Sequence, residues 1–117
     1  MTADEFREIV LALPGVEEGT SYGEPAFKVA GKFLTRLRRE EGGIVLKVGF
    51  FERDALLAAD PETFFLLPHY QNYPTVLAHI ERIDPVVLEA LLWESWRMTA
   101  PKKLQKEHGL AARPARQ

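Results

Sequence analysis

Three groups of residues carry side chains able to do chemistry. The first is a row of cations, Lys28, Arg36, Arg38 and Lys47, with Lys32 close by, in a segment whose polar and apolar residues alternate. Residues two apart share one face of a strand, so these side chains would stand about a strand spacing apart, which suits a row of phosphates or another anionic surface. The plainer alternative is that long cationic side chains keep an exposed sheet in solution and blunt its edges. The second group, Lys102, Lys103 and Lys106, follows Pro101 at near-helical spacing. It could extend the basic patch or simply complement the macrodipole of a C-terminal helix. The third is the run from His69 to Tyr73, where one imidazole and the phenols of Tyr70 and Tyr73 gather in a few residues. With Trp93 or Trp96 as a wall, it could form a pocket for a planar or acidic ligand. Otherwise it packs as an aromatic lid over the sheet.

Catalytic chemistry finds little to work with. The chain has no cysteine, which removes disulfides, thiol nucleophiles and thiolate metal sites. Gly42-Gly43 is too short for a phosphate-cradling loop, and Ser21 and Ser95 lie in no nucleophile elbow. His69 would need a partner carboxylate to act as a base, and nothing in the linear sequence sets Asp84 or Glu24 beside it. His69 and His79 are ten residues apart, with no carboxylate at ligand spacing. Asp4, Glu5 and Glu8 are accounted for by the cap and dipole of a first helix. No catalytic residue, metal site or cofactor is therefore expected.

At 117 residues with 46% hydrophobic and 27% charged side chains, one globular core is expected. No apolar run approaches the roughly 18 residues a membrane span needs, and the N-terminus is acidic where a leader would be basic. The expected location is cytoplasmic, with no membrane partner. The net charge of −2 hides a segregation. Residues 1–25 carry −5, residues 26–49 +4, residues 50–100 −5 and residues 101–117 +4. Two basic segments set between two acidic ones suggest a polarised surface.

The elements that must hold these groups follow from period and punctuation. Thr2 and Glu5 have capping-box spacing, and Phe6, Ile9, Val10 and Leu13 recur at helical intervals, so a helix is expected over residues 3–13. Pro14-Gly15 ends it, and the acidic stretch to Glu24 reads as a loop. From Ala26 to Gly49 the period is two, with turn signals at Gly31 and Gly42-Gly43, giving a three-stranded antiparallel meander. Its expected core face is Phe27, Val29, Phe33, Thr35, Leu37, Ile44, Leu46 and Val48, provided the turn around Ala30-Gly31-Lys32 is odd in length. Leu34 and Val45 then fall outside among the cations, where they could mark a partner surface. A short helix over 52–59 with Ala55, Leu56 and Ala59 inward, and strands over 64–67 and 75–80, come next. Asp84-Pro85 starts a long helix whose inner stripe is Leu88, Leu91, Leu92, Ser95 and Trp96. A last short helix covers 102–108, within one domain over 1–108, and 109–117 is expected to be a flexible tail.

This order of elements, together with Leu13-Pro14-Gly15-Val16, Pro25-Ala26-Phe27-Lys28-Val29, Gly31-Lys32, His69-Tyr70, Tyr73 and Ala100-Pro101-Lys102, resembles the MmcQ/YjbR family over about residues 3–107. The resemblance implies an α+β, frataxin-like fold: a curved antiparallel sheet of about five strands, helices packed on one side, and N-terminal and C-terminal helices flanking it. It also implies a double-wing shape and DNA binding, with no established reaction. The expected function is thus DNA binding through Lys28, Lys32, Arg36, Arg38, Lys47, Lys102 and Lys103. Arg39, Glu40 and Glu41 at the second hairpin tip weaken that reading, because two carboxylates there would face phosphates. The alternative is a module for a protein or small acidic ligand, using His69, Tyr70, Tyr73 and Trp96. Oligomeric state is left open by the sequence.

Overall fold

The computed structural model describes residues 1–108, so the tail expected over 109–117 lies outside the described residues. The chain opens with α1 (Ala3–Leu11) under the expected capping box. The Thr2 hydroxyl accepts the Glu5 N–H, and the Thr2 N–H donates to the Glu5 carboxylate at 2.7 Å. Phe6 and Val10, one turn apart, bury completely, and Phe6 meets Phe27 edge to face at 5.6 Å.

Six strands make one sheet: β1 (Val16–Ser21), β2 (Glu24–Val29), β3 (Lys32–Arg38), β4 (Gly43–Lys47), β5 (Phe64–Phe65) and β6 (Thr75–His79). Their order is β1-β2-β3-β4-β6-β5, and every neighbour pair is antiparallel. The sixth strand is β1, in the stretch that reads as a loop. No β1 residue is buried, so no alternation marks it. It is held as an edge strand by its ladder to β2, from Val16 opposite Val29 to Ser21 opposite Glu24. The two-residue turn that joins them, Tyr22-Gly23, has positive φ at both positions, 55° and 79°.

The next hairpin departs from the expected phase. Val29 stands opposite Lys32, so the turn is the two residues Ala30-Gly31, again with positive φ at both. An even turn alone would move strand β2 to the wrong face relative to β3. A bulge absorbs the mismatch: Phe27 faces Thr35, but Lys28 faces Phe33, leaving Leu34 as the extra residue. Leu34 goes into the core at 0% exposure, while Phe33, expected inside, is only half-buried beside Lys28. The remaining expected core residues, Phe27, Val29, Thr35, Leu37, Ile44, Leu46 and Val48, are all buried.

On the core side lie α1 and α3 (Pro85–Thr99), the latter against β3 and β4. The Asp84 carboxylate caps α3 through the Val87 N–H, with Pro85 at its first position, and the expected stripe Leu88, Leu91, Leu92, Ser95 and Trp96 is buried throughout. Trp96 donates from Nε1 to the Pro14 carbonyl at 2.8 Å, tying α3 to the end of α1. Helix α2 (Phe50–Ala59) buries no residue fully. Leu56 and Leu57 touch the core, while Ala55 and Ala59, expected inward, are exposed. Helix α4 (Lys102–Glu107) lays Leu104 on the core and is anchored by Gln105, whose amide donates to the Arg97 and Ala100 carbonyls. No helix among the described residues is long and apolar enough to cross a membrane.

Candidate functional site

The sheet face turned away from α3 is not the exposed cationic platform that the alternation suggests. Ala26, Val45 and Leu77 on it are 2%, 1% and 0% exposed, so Val45, like Leu34, is no exposed apolar contact. Between β5 and β6 the chain makes a 3-10 turn, Pro68–Tyr70, bringing His69 toward Arg36 and Arg38. The result is a cavity of about 500 Å³ lined by Tyr22, Glu24, Arg36, Arg38, Glu40, Glu41 and His69. Two groups that the sequence offers as rival sites, the cations of β3 and the His69 loop, thus meet in one cleft.

Each cation there is already engaged. Arg36 is 7% exposed, and its Nη1 lies 3.3 Å from the Glu24 carboxylate and 3.4 Å from the Ser21 carbonyl. The second Glu24 oxygen accepts the Arg39 N–H at 2.9 Å, so Glu24 is clamped between Arg36 on β3 and the residue just past the end of that strand. The Tyr22 ring covers the Arg36 guanidinium at 5.4 Å while remaining 93% exposed. Arg38 makes a two-pronged pair with Glu41, at 2.8 and 3.1 Å. That bond holds the Glu41 carboxyl below its ordinary range and raises Arg38, to which the Tyr70 phenol adds. Lys47 donates to the Phe33 carbonyl at 2.8 Å, and its burial, then the nearby Lys32 charge, lowers its ammonium.

The remaining candidates divide. Lys28, Lys32, Lys102 and Lys103 are exposed and form no salt bridge among the described residues. His69 packs edge to face on Tyr70 at 4.7 Å and lies 6.3 Å from Tyr73, which is half exposed. Trp96, proposed as a pocket wall, is instead fully buried in the core across the sheet. Its side chain is too apolar and too well filled by neighbours to be left at a rim. Trp93 meets it at 5.6 Å and lines a separate groove on the far side of α3. Tyr22, Glu24, Glu40 and Glu41 complete the cleft without having been read as site residues. The available signals are the Tyr-Gly pair of a tight hairpin and the three-residue spacing of Arg38 and Glu41.

The guanidiniums and carboxylates of the cleft form a fixed, mixed-charge surface with one imidazole and an exposed phenol at the edge. No group of three or more His, Asp or Glu side chains is placed to hold a metal among the described residues.

Similarity to other proteins agrees with the fold. Uncharacterised proteins of Mycobacterium bovis and Mycobacterium tuberculosis are 44% identical over 50 residues, which are 43% of this chain and 39% of theirs. The matched segment thus spans about two fifths of those relatives. The crystal structure of the Deinococcus radiodurans protein DR2400, with a DUF419 domain, superposes with a TM-score of 0.71 at 21% identity, covering 93% of this chain and 88% of that one. At that identity the likeness is one of fold. The family model YjbR matches residues 11–98, three quarters of the sequence, and the chain belongs to the YjbR family.

Proposed function

We propose that the chain is a binding module whose cleft between the β1–β2 turn, the β3–β4 turn and the Pro68–Tyr70 turn receives a small planar ligand bearing an anionic group. One observation carries this reading: Arg36, Arg38 and His69, drawn from segments some thirty residues apart, line a single cavity with an exposed aromatic ring at its edge. Arg38 presents two parallel donors, and a ligand carboxylate or phosphate can replace the Glu41 carboxylate there with the same geometry. Tyr22 supplies a face for stacking. Arg36 and Glu24 hold the floor.

Binding to duplex DNA is the second reading, favoured by the exposed Lys28, Lys32, Lys102 and Lys103. It has fewer cations to draw on than the sequence offers, since Arg36 and Arg38 are matched by carboxylates and Lys47 by a carbonyl.

Amide NMR titrations with adenosine monophosphate, adenosine, benzoate and a random 16-base-pair duplex separate the two. The cleft reading expects saturable shifts at Tyr22, Arg36, Arg38 and His69 with the anionic probes, weaker with adenosine and lost in Arg38→Ala. Shifts confined to the four lysines with duplex, fading between about 50 and 200 mM salt, would replace it with the nucleic-acid reading.

A further inference from the structure

Away from the cleft, the face of α3 makes a second, open concavity of about 820 Å³, lined on that helix by Val86, Ala90, Leu91, Trp93 and Met98 with Glu89, Glu94 and Arg97, and edged by Val48 and by Glu52 of α2. Its lining is mostly apolar, and much of it is open to water: Val86 is 73% and Met98 53% exposed, with Phe51 at 86% on α2 beside Glu52. Val86, Ala90, Trp93 and Arg97 recur at four, three and four residues, so they make one stripe along the length of α3. Fifteen residues of helix give a face of about 22 Å. A contiguous apolar surface with a polar edge, on a helix whose other face is already in the core, is what interaction sites present.

Charge selects the occupant. Three carboxylates accompany one guanidinium around this groove, and among the described residues Glu52 and Glu89 take part in no salt bridge. A second copy meeting the same face through a two-fold axis would bring six carboxylates together with only two guanidiniums. Nucleic acid and anionic lipid are opposed by the same groups. Nearly all of the lining lies on α3, whose backbone groups are satisfied internally, so it offers no strand edge for an extended peptide to extend. The complementary object is a helix with an apolar stripe flanked by lysine or arginine. We infer that the α2–α3 groove docks a basic amphipathic helix of a partner protein, with Val86, Trp93 and Met98 as apolar contacts and Glu52 and Glu89 as charge partners. This inference is independent of the cleft, with which the groove shares no residue.

The test uses the full chain and two synthetic 16-residue helices with leucines at helical spacing, one carrying lysines on the opposite face and the other glutamates. Binding is followed by tryptophan emission and by amide shifts. The lysine helix is expected to bind saturably, to shift Val86, Trp93 and Met98, and to bind about tenfold more tightly than the glutamate helix at low salt. The double variant Glu52→Lys/Glu89→Lys should reverse that preference, and Val86→Ser/Met98→Ser should weaken both helices. All four positions are exposed, so circular dichroism should show the variants folded. Failure of the lysine helix to bind, equal affinity for both helices, unchanged binding to the serine variant, or a dimer closed through this face in sedimentation would each overturn the inference.

Discussion

Arg38 and Glu41 stand three residues apart across the β3–β4 turn and are joined by two parallel hydrogen bonds of 2.8 and 3.1 Å, so the cleft carries its own carboxylate on the guanidinium a ligand would need. Replacing Glu41 by Gln leaves Arg38 in place and removes that competitor. The affinity for benzoate or adenosine monophosphate should rise several-fold, read by the same NMR titration. Unchanged affinity would mean that Arg38 does not contact the anion.

The same pair sets a stability difference with pH. Arg38 lowers the Glu41 carboxyl below its ordinary 4.5, so the folded state favours the ionised form. Its contribution is present above the ordinary value and is lost as pH falls through the lowered one. Both side chains are 23% exposed, and a paired group of this kind contributes about 0.5–1 kcal/mol. Urea unfolding of wild type and Glu41→Gln should therefore differ by that amount at neutral pH and converge as the pH falls through the lowered value.

Lys47 runs the other way. Burial lowers its ammonium below the ordinary 10.5, so the fold binds that proton less well than the unfolded chain does. Stability must then rise with pH in the window between the lowered and ordinary values, where only the unfolded state remains protonated. Lys47→Met lacks the titrating group and also the bond to the Phe33 carbonyl. The gap between wild type and variant should shift in favour of wild type as pH climbs toward 10.5. A gap independent of pH in alkaline urea titrations would show that Lys47 is not desolvated.

The bulge at Leu34 is open to a direct comparison. Leu34 is fully buried and Phe33 half-buried, so Leu34→Ala should cost about 2–5 kcal/mol and Phe33→Ala about 1 kcal/mol. A uniform alternation through β3 predicts the reverse order. Denaturant midpoints of the two variants decide between them.

What is legible in the sequence is what local chemistry dictates. Thr2 with Glu5 and Asp84 with Pro85 mark helix starts through short-range hydrogen bonds, and the stripe from Leu88 to Trp96 follows from helical period alone. What depends on the partner strand is not legible. A period-two pattern looks the same with or without one extra residue, so Leu34 and Phe33 exchange roles unseen. Strand β1 has no buried residue to announce it and exists through backbone pairing with β2. Strand pairing also bears on the charge segregation: β1 sets Glu17 opposite Lys28 in register, and across β2 and β3 Glu24 reaches Arg36. Acidic and basic segments lie side by side, and Arg36 is matched by a carboxylate where the sequence suggests a polarised surface. The cleft is built the same way, by the turn that returns His69 to β3.

Tyr22 separates binding from folding. At 93% exposure it contributes no core packing, and its ring lies over the Arg36 guanidinium at 5.4 Å. Tyr22→Ala keeps the Gly23 turn, so its stability should stay within about 0.5–1 kcal/mol of wild type. If the ring is the stacking face of the cleft, the same substitution should weaken adenosine monophosphate about 5–10-fold, the scale of a lost aromatic contact of 1–1.5 kcal/mol. Benzoate, with the smaller ring, should lose less. Thermal melting alongside the titration separates the two roles: a lowered midpoint with unchanged affinity would make Tyr22 a structural clamp on Arg36, whereas an unchanged midpoint with lost affinity would make it a ligand contact.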